Sequence, residues 1–73
     1  MSKLKIITSS QMCKLVESLG FVLIRQKGSH RFYRHTDGRK TVIPMHVGDI
    51  DRSLVRKMLR DIEITIDEYN EMV

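Results

Sequence analysis

Apolar residues recur at helical spacing near the start of the chain. The stretch from about Ser9 to Leu19 places its apolar residues at i, i+3, i+4 and i+7, which predicts an amphipathic helix. Thr8 just before it forms a capping box with Gln11 three residues later, and Gly20 just after it suits a left-handed helix end. The apolar stripe comprises Met12, Leu15, Val16 and Leu19.

A second helical pattern lies in the last third of the chain. It runs from about Asp51 to Ile62. A short third helix begins after Thr65, which forms another capping box with Glu68. The second apolar stripe comprises Leu54, Val55, Met58, Leu59 and Ile62.

Between these helices the pattern changes to short β-rich segments. Glycine-containing turns at Lys27-Gly28-Ser29 and at Asp37-Gly38 separate them, and Pro44 ends the last one. Such short connections predict an antiparallel meander. The three predicted strands are Phe21–Ile24, His30–His35 and Lys40–Ile43.

The element order is therefore α-β-β-β-α with a short extra helix at the C-terminus, an α+β fold. We expect a three-stranded antiparallel sheet with both long helices on one face, because nothing else in the chain can bury their stripes. The other sheet face is then open. With 73 residues, the chain forms one domain over residues 1–73.

Composition narrows the functional classes. Hydrophobic residues make up 41% and charged residues 30% of the chain, which is typical of a globular protein. The apolar runs are too short to span a bilayer, and the N-terminus does not resemble a signal peptide, so we expect a cytoplasmic protein without a membrane partner. Cys13 is the single cysteine, which excludes an internal disulfide and a CxxC metal motif.

Positive charge is concentrated in the first half of the chain. Residues 1–40 hold nine bases and two acids, a net charge of +7, whereas residues 41–73 hold four bases and seven acids, a net charge of −3. Residues 25–40 alone carry six bases against one acid. This basic half predicts a polyanionic partner such as RNA.

Histidine is the residue type that suggests catalysis. His30 directly follows Gly28 and Ser29 inside the most basic stretch. A histidine among cations suits ribonucleolytic transesterification, since it can accept the proton of a 2′-hydroxyl or protonate the leaving oxygen while the cations offset charge on the phosphate. The alternative is a surface histidine without a catalytic role. The histidines lack partners at ligand spacing, so we predict no metal and no cofactor.

Strand alternation leaves the position of His30 open. Residues two apart in a strand share a face, so His30 points into the core if Phe32 does. Either Phe32 or Tyr33 can fill the core and leave the other ring exposed. The sequence does not decide between them.

Two groups of cations are candidate binding residues. Lys27, Arg31, Arg34 and Arg39 are candidates for contacts to RNA phosphates. A second group lies on the polar side of the second helix, where it is either an ordinary solvated face or a docking surface for an acidic partner. Its members are Arg52, Arg56, Lys57 and Arg60.

An ordered set of segments resembles a known family. The set comprises LGF (residues 19–21), RQKGSH (25–30), VIPMH (42–46) and the later arginine-rich helix. In this order they resemble the HicA mRNA interferase toxins, and the resemblance runs from Thr8 to about Val73.

The resemblance implies a fold similar to the double-stranded-RNA-binding domain and a role as the toxin of a type II toxin–antitoxin system. It implies an endoribonuclease that cleaves mRNA and arrests growth until a HicB-like antitoxin covers it. His30 matches the family's catalytic histidine, and Gly28 and Ser29 match the residues before it. Pro44 and His46 match a strand-end segment with a structural or RNA-positioning role. We expect the chain alone to be a monomer.

Two other functions compete with this hypothesis. The first is a non-catalytic module that binds duplex RNA through the same basic surface. The second is a protein-interaction domain whose basic helix docks an acidic partner. The imidazole beside the glycine turn discriminates among them, because only the nuclease needs it.

Overall fold

The computed structural model describes residues 3–73 and contains one three-stranded antiparallel sheet with helices against one of its faces. This confirms the predicted fold class. The elements in chain order are α1 (Ser9–Ser18), β1 (Val22–Lys27), β2 (His30–Arg34), β3 (Lys40–Pro44), α2 (Arg52–Ile62) and α3 (Ile66–Met72).

Local signals in the sequence determine both ends of α1. The Thr8 hydroxyl accepts the Gln11 backbone N–H, and the Gln11 side chain accepts the Thr8 backbone N–H in return, so the capping box is complete. At the other end Gly20 adopts φ +95°, and its N–H donates to the Glu17 carbonyl at 3.1 Å. The chain thereby leaves the helix and enters β1.

The sheet has β2 at its centre, between the edge strands β1 and β3. Tyr33 on β2 and Thr41 and Ile43 on β3 are buried beneath the helices. His30 pairs with Pro44, and Phe32 pairs with Val42, on the opposite face. The helices therefore cover one face only, and the other is open, as the hydrophobic pattern predicts.

The first strand differs from its prediction. It was expected at Phe21–Ile24, but β1 begins one residue later and continues through the polar residues 25–27, which pair with β2. Phe21 instead packs in the core before the strand begins. A bulge between Leu23 and Arg25 shifts the register, so these two residues lie on different faces.

The two C-terminal helices are joined by a left-handed residue. Glu63 ends α2 with φ 58° and ψ 45°, and its N–H donates to the Arg60 carbonyl at 3.3 Å. It is the one non-glycine residue with positive φ in the described part of the chain. In α3, Tyr69 is buried and its hydroxyl donates to the Lys5 carbonyl at 2.7 Å, so α3 is tied to the N-terminal segment.

The left-handed conformation of Glu63 at the end of α2 can be tested by substitution. We expect Glu63→Gly to raise the free energy of unfolding by about 1 kcal/mol, because glycine adopts this conformation without the steric cost that other residues incur. The matched change Glu71→Gly removes the same side chain from α3 and should lower stability by a similar amount. Chemical denaturation of the three proteins measures both. Destabilisation by Glu63→Gly would contradict this account of the helix end.

Candidate functional site

His30 is the first residue of the central strand and lies on the open face of the sheet. Tyr33 is buried on the covered face, and strand alternation therefore directs His30 and Phe32 the other way. The question left open by the sequence is thus decided: Tyr33 fills the core, and His30 is exposed.

The turn before His30 places a lysine next to it. Lys27 and His30 are direct partners across the β1–β2 hairpin, joined by the two residues Gly28 and Ser29. Gly28 has φ +58°, while Ser29 does not have a positive φ, which matches a type II′ turn with glycine first. Side chains paired in this way have Cβ atoms about 5 Å apart. The Lys27 ammonium can therefore reach an anion held at the imidazole.

The three histidines differ in what their rings contact. The His35 ring packs edge-on against Phe21 at 5.2 Å, and its Nδ1 accepts the Asp37 N–H at 3.1 Å. The His46 Nδ1 lies 3.1 Å from the Val47 carbonyl. Within residues 3–73, the His30 side chain makes neither a hydrogen bond nor an ion pair. Its ring nitrogens are therefore available to a ligand.

His46 lies at the same end of the sheet as His30. His30 pairs with Pro44, and the next residue, Met45, donates its N–H to the Ser29 carbonyl at 2.6 Å. His46 follows directly and is exposed. The strand-end segment is thus adjacent to the Gly28 turn.

The predicted phosphate-binding residues do not share one surface. Lys27 and Arg34 lie on the open face with His30, and both are exposed. Arg31 lies on the other face, where its Nε donates to the Gln26 side chain at 3.1 Å and one terminal nitrogen lies 3.9 Å from the Cys13 sulfur. The contact to the Tyr33 hydroxyl and then that to Cys13 raise the pKa of the Arg31 guanidinium.

A short network beneath the sheet orients this covered face. The Tyr33 hydroxyl donates to the Glu17 carboxylate on α1 at 2.6 Å. Burial first, and then hydrogen bonding to Cys13 and Glu17, raises the pKa of Tyr33, so the phenol stays protonated. The network joins β2 to α1, and no residue of the open face takes part in it.

Arg39 has a structural role. Its guanidinium contacts the Asp37 carboxylate at 2.8 Å, stacks 5.1 Å from the Phe21 ring centre and donates to the Ile62 carbonyl at the end of α2. The Arg39 backbone N–H, together with the guanidinium, lowers the pKa of Asp37. The side chain is 22% exposed. Arg39 is therefore not among the residues that we propose to contact RNA.

The cations of α2 divide into two groups. Arg52, Arg56 and Arg60 follow one another at intervals of four residues along a single exposed flank, beside Ile64 and Ile66 of the α2–α3 junction. Lys57 lies on the other flank, where its ammonium contacts Asp61 at 3.1 Å. Asp61 in turn accepts the Thr41 hydroxyl on β3. Lys57 thus belongs to the sheet edge and not to the arginine row.

Sequence reasoning missed two cations of the open face. Arg25 is opposite Phe32, with its guanidinium carbon 4.6 Å from the ring centre, and Lys40 is opposite Arg34. Both residues are included in the charge count of residues 25–40. Which face of the sheet they occupy follows only from the strand register, which the sequence does not give. The structure also shows no group of three potential metal ligands within residues 3–73, and none of the helices there is long and apolar enough to cross a membrane.

Comparison with known families identifies the type of protein. The sequence-family model described as the HicA toxin of bacterial toxin–antitoxin systems matches residues 9–64, which is more than half of the chain and includes His30. The chain belongs to the HicA toxin family. The comparison with curated proteins gives no match. Membership makes the chain the toxin of a toxin–antitoxin system and implies a cognate antitoxin as its partner.

The different roles of two arginines in this HicA-family toxin can be tested. We expect Arg39→Ala to lower the free energy of unfolding by about 1–2 kcal/mol, because it removes the charge-assisted hydrogen bond from the β2–β3 hairpin to α2 and the ion pair with Asp37 inside the hairpin. Arg34→Ala, on the open face, should change it by less than about 0.5 kcal/mol. Thermal denaturation compares the two variants with the wild type. Equal stability of both variants would show that the Arg39 contacts do not hold the hairpin.

Proposed function

We propose that this HicA-family toxin is an endoribonuclease that cleaves mRNA, with His30 as its general acid or base. The observation that carries this proposal is the free imidazole of His30, exposed on the open face directly opposite Lys27. His35 and His46 each have intramolecular contacts, whereas His30 has a histidine's proton-transfer chemistry and no structural task.

The proposed reaction is transesterification at one phosphodiester. The 2′-oxygen attacks phosphorus, the bond from phosphorus to the 5′-oxygen breaks, and a 2′,3′-cyclic phosphate and a 5′-hydroxyl result. One proton leaves the 2′-hydroxyl and one is added to the 5′-oxygen. His30 carries one of these transfers, and solvent at this open site can carry the other. The step needs neither a metal nor a cofactor.

Cations of the open face support the same reaction. Lys27 adjoins His30 across the turn and is placed to offset the charge that develops on the phosphate oxygens. Arg34 lies four residues beyond His30 along β2, opposite Lys40, and both are exposed. We propose that these residues hold the RNA backbone on either side of the cleavage site, while His46 contacts RNA at the turn end.

The antitoxin is proposed to be HicB-like and to dock on the arginine row of α2. Arg52, Arg56 and Arg60 are exposed and form no ion pair within the described residues. Such like charges at i, i+4 disfavour the isolated helix, and an acidic partner would relieve this repulsion. To cover His30 as well, the antitoxin has to extend around the sheet edge where Lys57 lies.

Replacement of His30 tests the catalytic proposal. We expect His30→Ala to lower the rate of RNA cleavage by about 10²- to 10⁴-fold, which is the usual contribution of one general acid or base. RNA binding should persist because the cations remain. The melting temperature should stay near that of the wild type, because the side chain is exposed. Cleavage of a labelled RNA, its binding and thermal denaturation are measured on the same preparations.

His35→Ala provides the matched control. This change removes a histidine that packs against Phe21 and caps the Asp37 turn, so it should lower the melting temperature and leave cleavage by the folded protein intact. Wild-type cleavage by His30→Ala would refute the assignment. The alternative of a non-catalytic RNA-binding module would then account for the basic face.

Charge reversal on α2 tests the partner surface. We expect Arg56→Glu to weaken the complex with the cognate antitoxin by about tenfold or more, because a like charge then faces the acidic partner. Lys14→Glu makes the same charge change on the exposed side of α1 and should leave the affinity unchanged. Titration calorimetry of the purified pair measures both. An unaffected Arg56→Glu complex would place the antitoxin elsewhere.

A further inference from the structure

Phe32 is the one Phe or Tyr side chain of this chain that does not belong to the buried core. Phe21, Tyr33 and Tyr69 are each no more than 3% exposed, and the chain contains no tryptophan. Phe32 instead lies half-buried at the middle of the central strand, on the open face. A ligand that covers the exposed part of this ring would gain free energy from burying its apolar surface.

The neighbours of Phe32 include the proposed catalytic group. Its partner on β3 is Val42, and its partner on β1 is Arg25. His30 and Arg34 precede and follow it by two residues on the same face, which places each about 7 Å away along the strand. The ring thus lies between the imidazole and an exposed cation.

A planar group already occupies one side of the ring. The Arg25 guanidinium carbon lies 4.6 Å from the ring centre, within the range of a cation–π contact. A guanidinium and a nucleobase are both flat and both stack on aromatic faces. The free protein therefore already places a flat cation over this ring.

A depression beside the ring has walls and charges suited to one nucleotide. It encloses about 540 Å³, and Phe32, Val42 and Ile24 supply apolar surface to it. Arg34 and Lys40, which form no ion pair within residues 3–73, supply cations around it, and Lys57 lies there paired with the Asp61 carboxylate. Apolar surface with an aromatic ring suits a base, and surrounding cations suit the adjoining phosphates.

We propose that Phe32 is a stacking platform for an unpaired nucleobase, and that single-stranded RNA lies along β2 with this base next to the phosphate at His30. The placement of the cleaved phosphate at His30 rests on the proposed function, whereas the stacking of a base on Phe32 does not. On RNA binding the base replaces the Arg25 guanidinium on the ring, and Arg25 pairs with the adjoining phosphate.

The platform favours single strands over duplexes for a physical reason. Bases in a duplex stack on one another and pair, so their faces are not available to a protein ring. An unpaired base can stack on Phe32 whatever its identity, because every base has a π-face. Phe32 is thus a positioning residue, which holds the strand so that one phosphodiester lies at His30.

Binding of an uncleavable RNA tests the platform separately from catalysis. The probe is a short labelled single strand with 2′-O-methyl groups, which lacks the attacking hydroxyl. We expect Phe32→Leu to raise its Kd by roughly 5- to 100-fold, the range for loss of one base–aromatic stack. Leu23→Ala, an exposed apolar truncation on the other face of the sheet, should leave Kd unchanged. Wild-type affinity in folded Phe32→Leu would overturn the proposal.

A spectroscopic variant covers the case in which Phe32→Leu does not fold. Phe32→Trp retains a stacking ring and introduces the only tryptophan of the chain. We expect the uncleavable single strand to quench its fluorescence with a Kd close to that of the wild type, and the duplex of the same sequence to quench it far less. Bound single strand without quenching, or equal quenching by the duplex, would overturn the proposal.

The same variants separate the platform from the proposed nuclease. Loss of binding in Phe32→Leu together with cleavage that survives His30→Ala would support the platform and refute the catalytic assignment. Loss of cleavage in His30→Ala together with full binding by Phe32→Leu would support the catalytic assignment and refute the platform.

Discussion

Burial of Tyr33 beneath α1 is the constraint on which the candidate site depends. The ring lies in the core, and its hydroxyl donates to Glu17 at 2.6 Å. A strand alternates its side chains between two faces, so the burial of the Tyr33 ring determines which face every other residue of β2 occupies. His30, Phe32 and Arg34 lie together on the open face because Tyr33 lies on the covered one. A register shift by one residue would bury the imidazole and expose the phenol.

The basic residues of the central segment perform two different tasks. Arg39 ties the β2–β3 hairpin to the end of α2, and Arg31 packs beside Cys13 on the covered face. Lys27, Arg34 and Lys40 are exposed on the open face without ion pairs in the described part of the chain. A net positive charge in a sequence segment therefore overstates the charge that is available to a ligand, since some cations are used in folding.

The residues outside the HicA-family match share its hydrophobic core but supply no residue of the candidate site. Residues 9–64 contain α1, the whole sheet and α2, and thus every residue of the candidate site. Outside the match, α3 contacts the N-terminal segment: the Lys5 ammonium donates to the Asn70 carbonyl at 2.9 Å, and the Lys5 N–H donates to the Asn70 side chain at 3.2 Å. These contacts join the two ends of the chain without touching the open face.

Local signals in the sequence determined the element order, the capping boxes of α1 and α3, the two hairpin turns and the position of His30 directly after the Gly28-Ser29 turn. These features depend on neighbours within a few residues, so they can be read without a structure. The tertiary structure alone decided that Tyr33 enters the core, that a bulge places Arg25 on the open face beside Phe32, and that Arg39 caps α2. Each of these depends on contacts between residues far apart in the chain. Their energies arise from burial and strand register, which the order of residues in one segment does not contain.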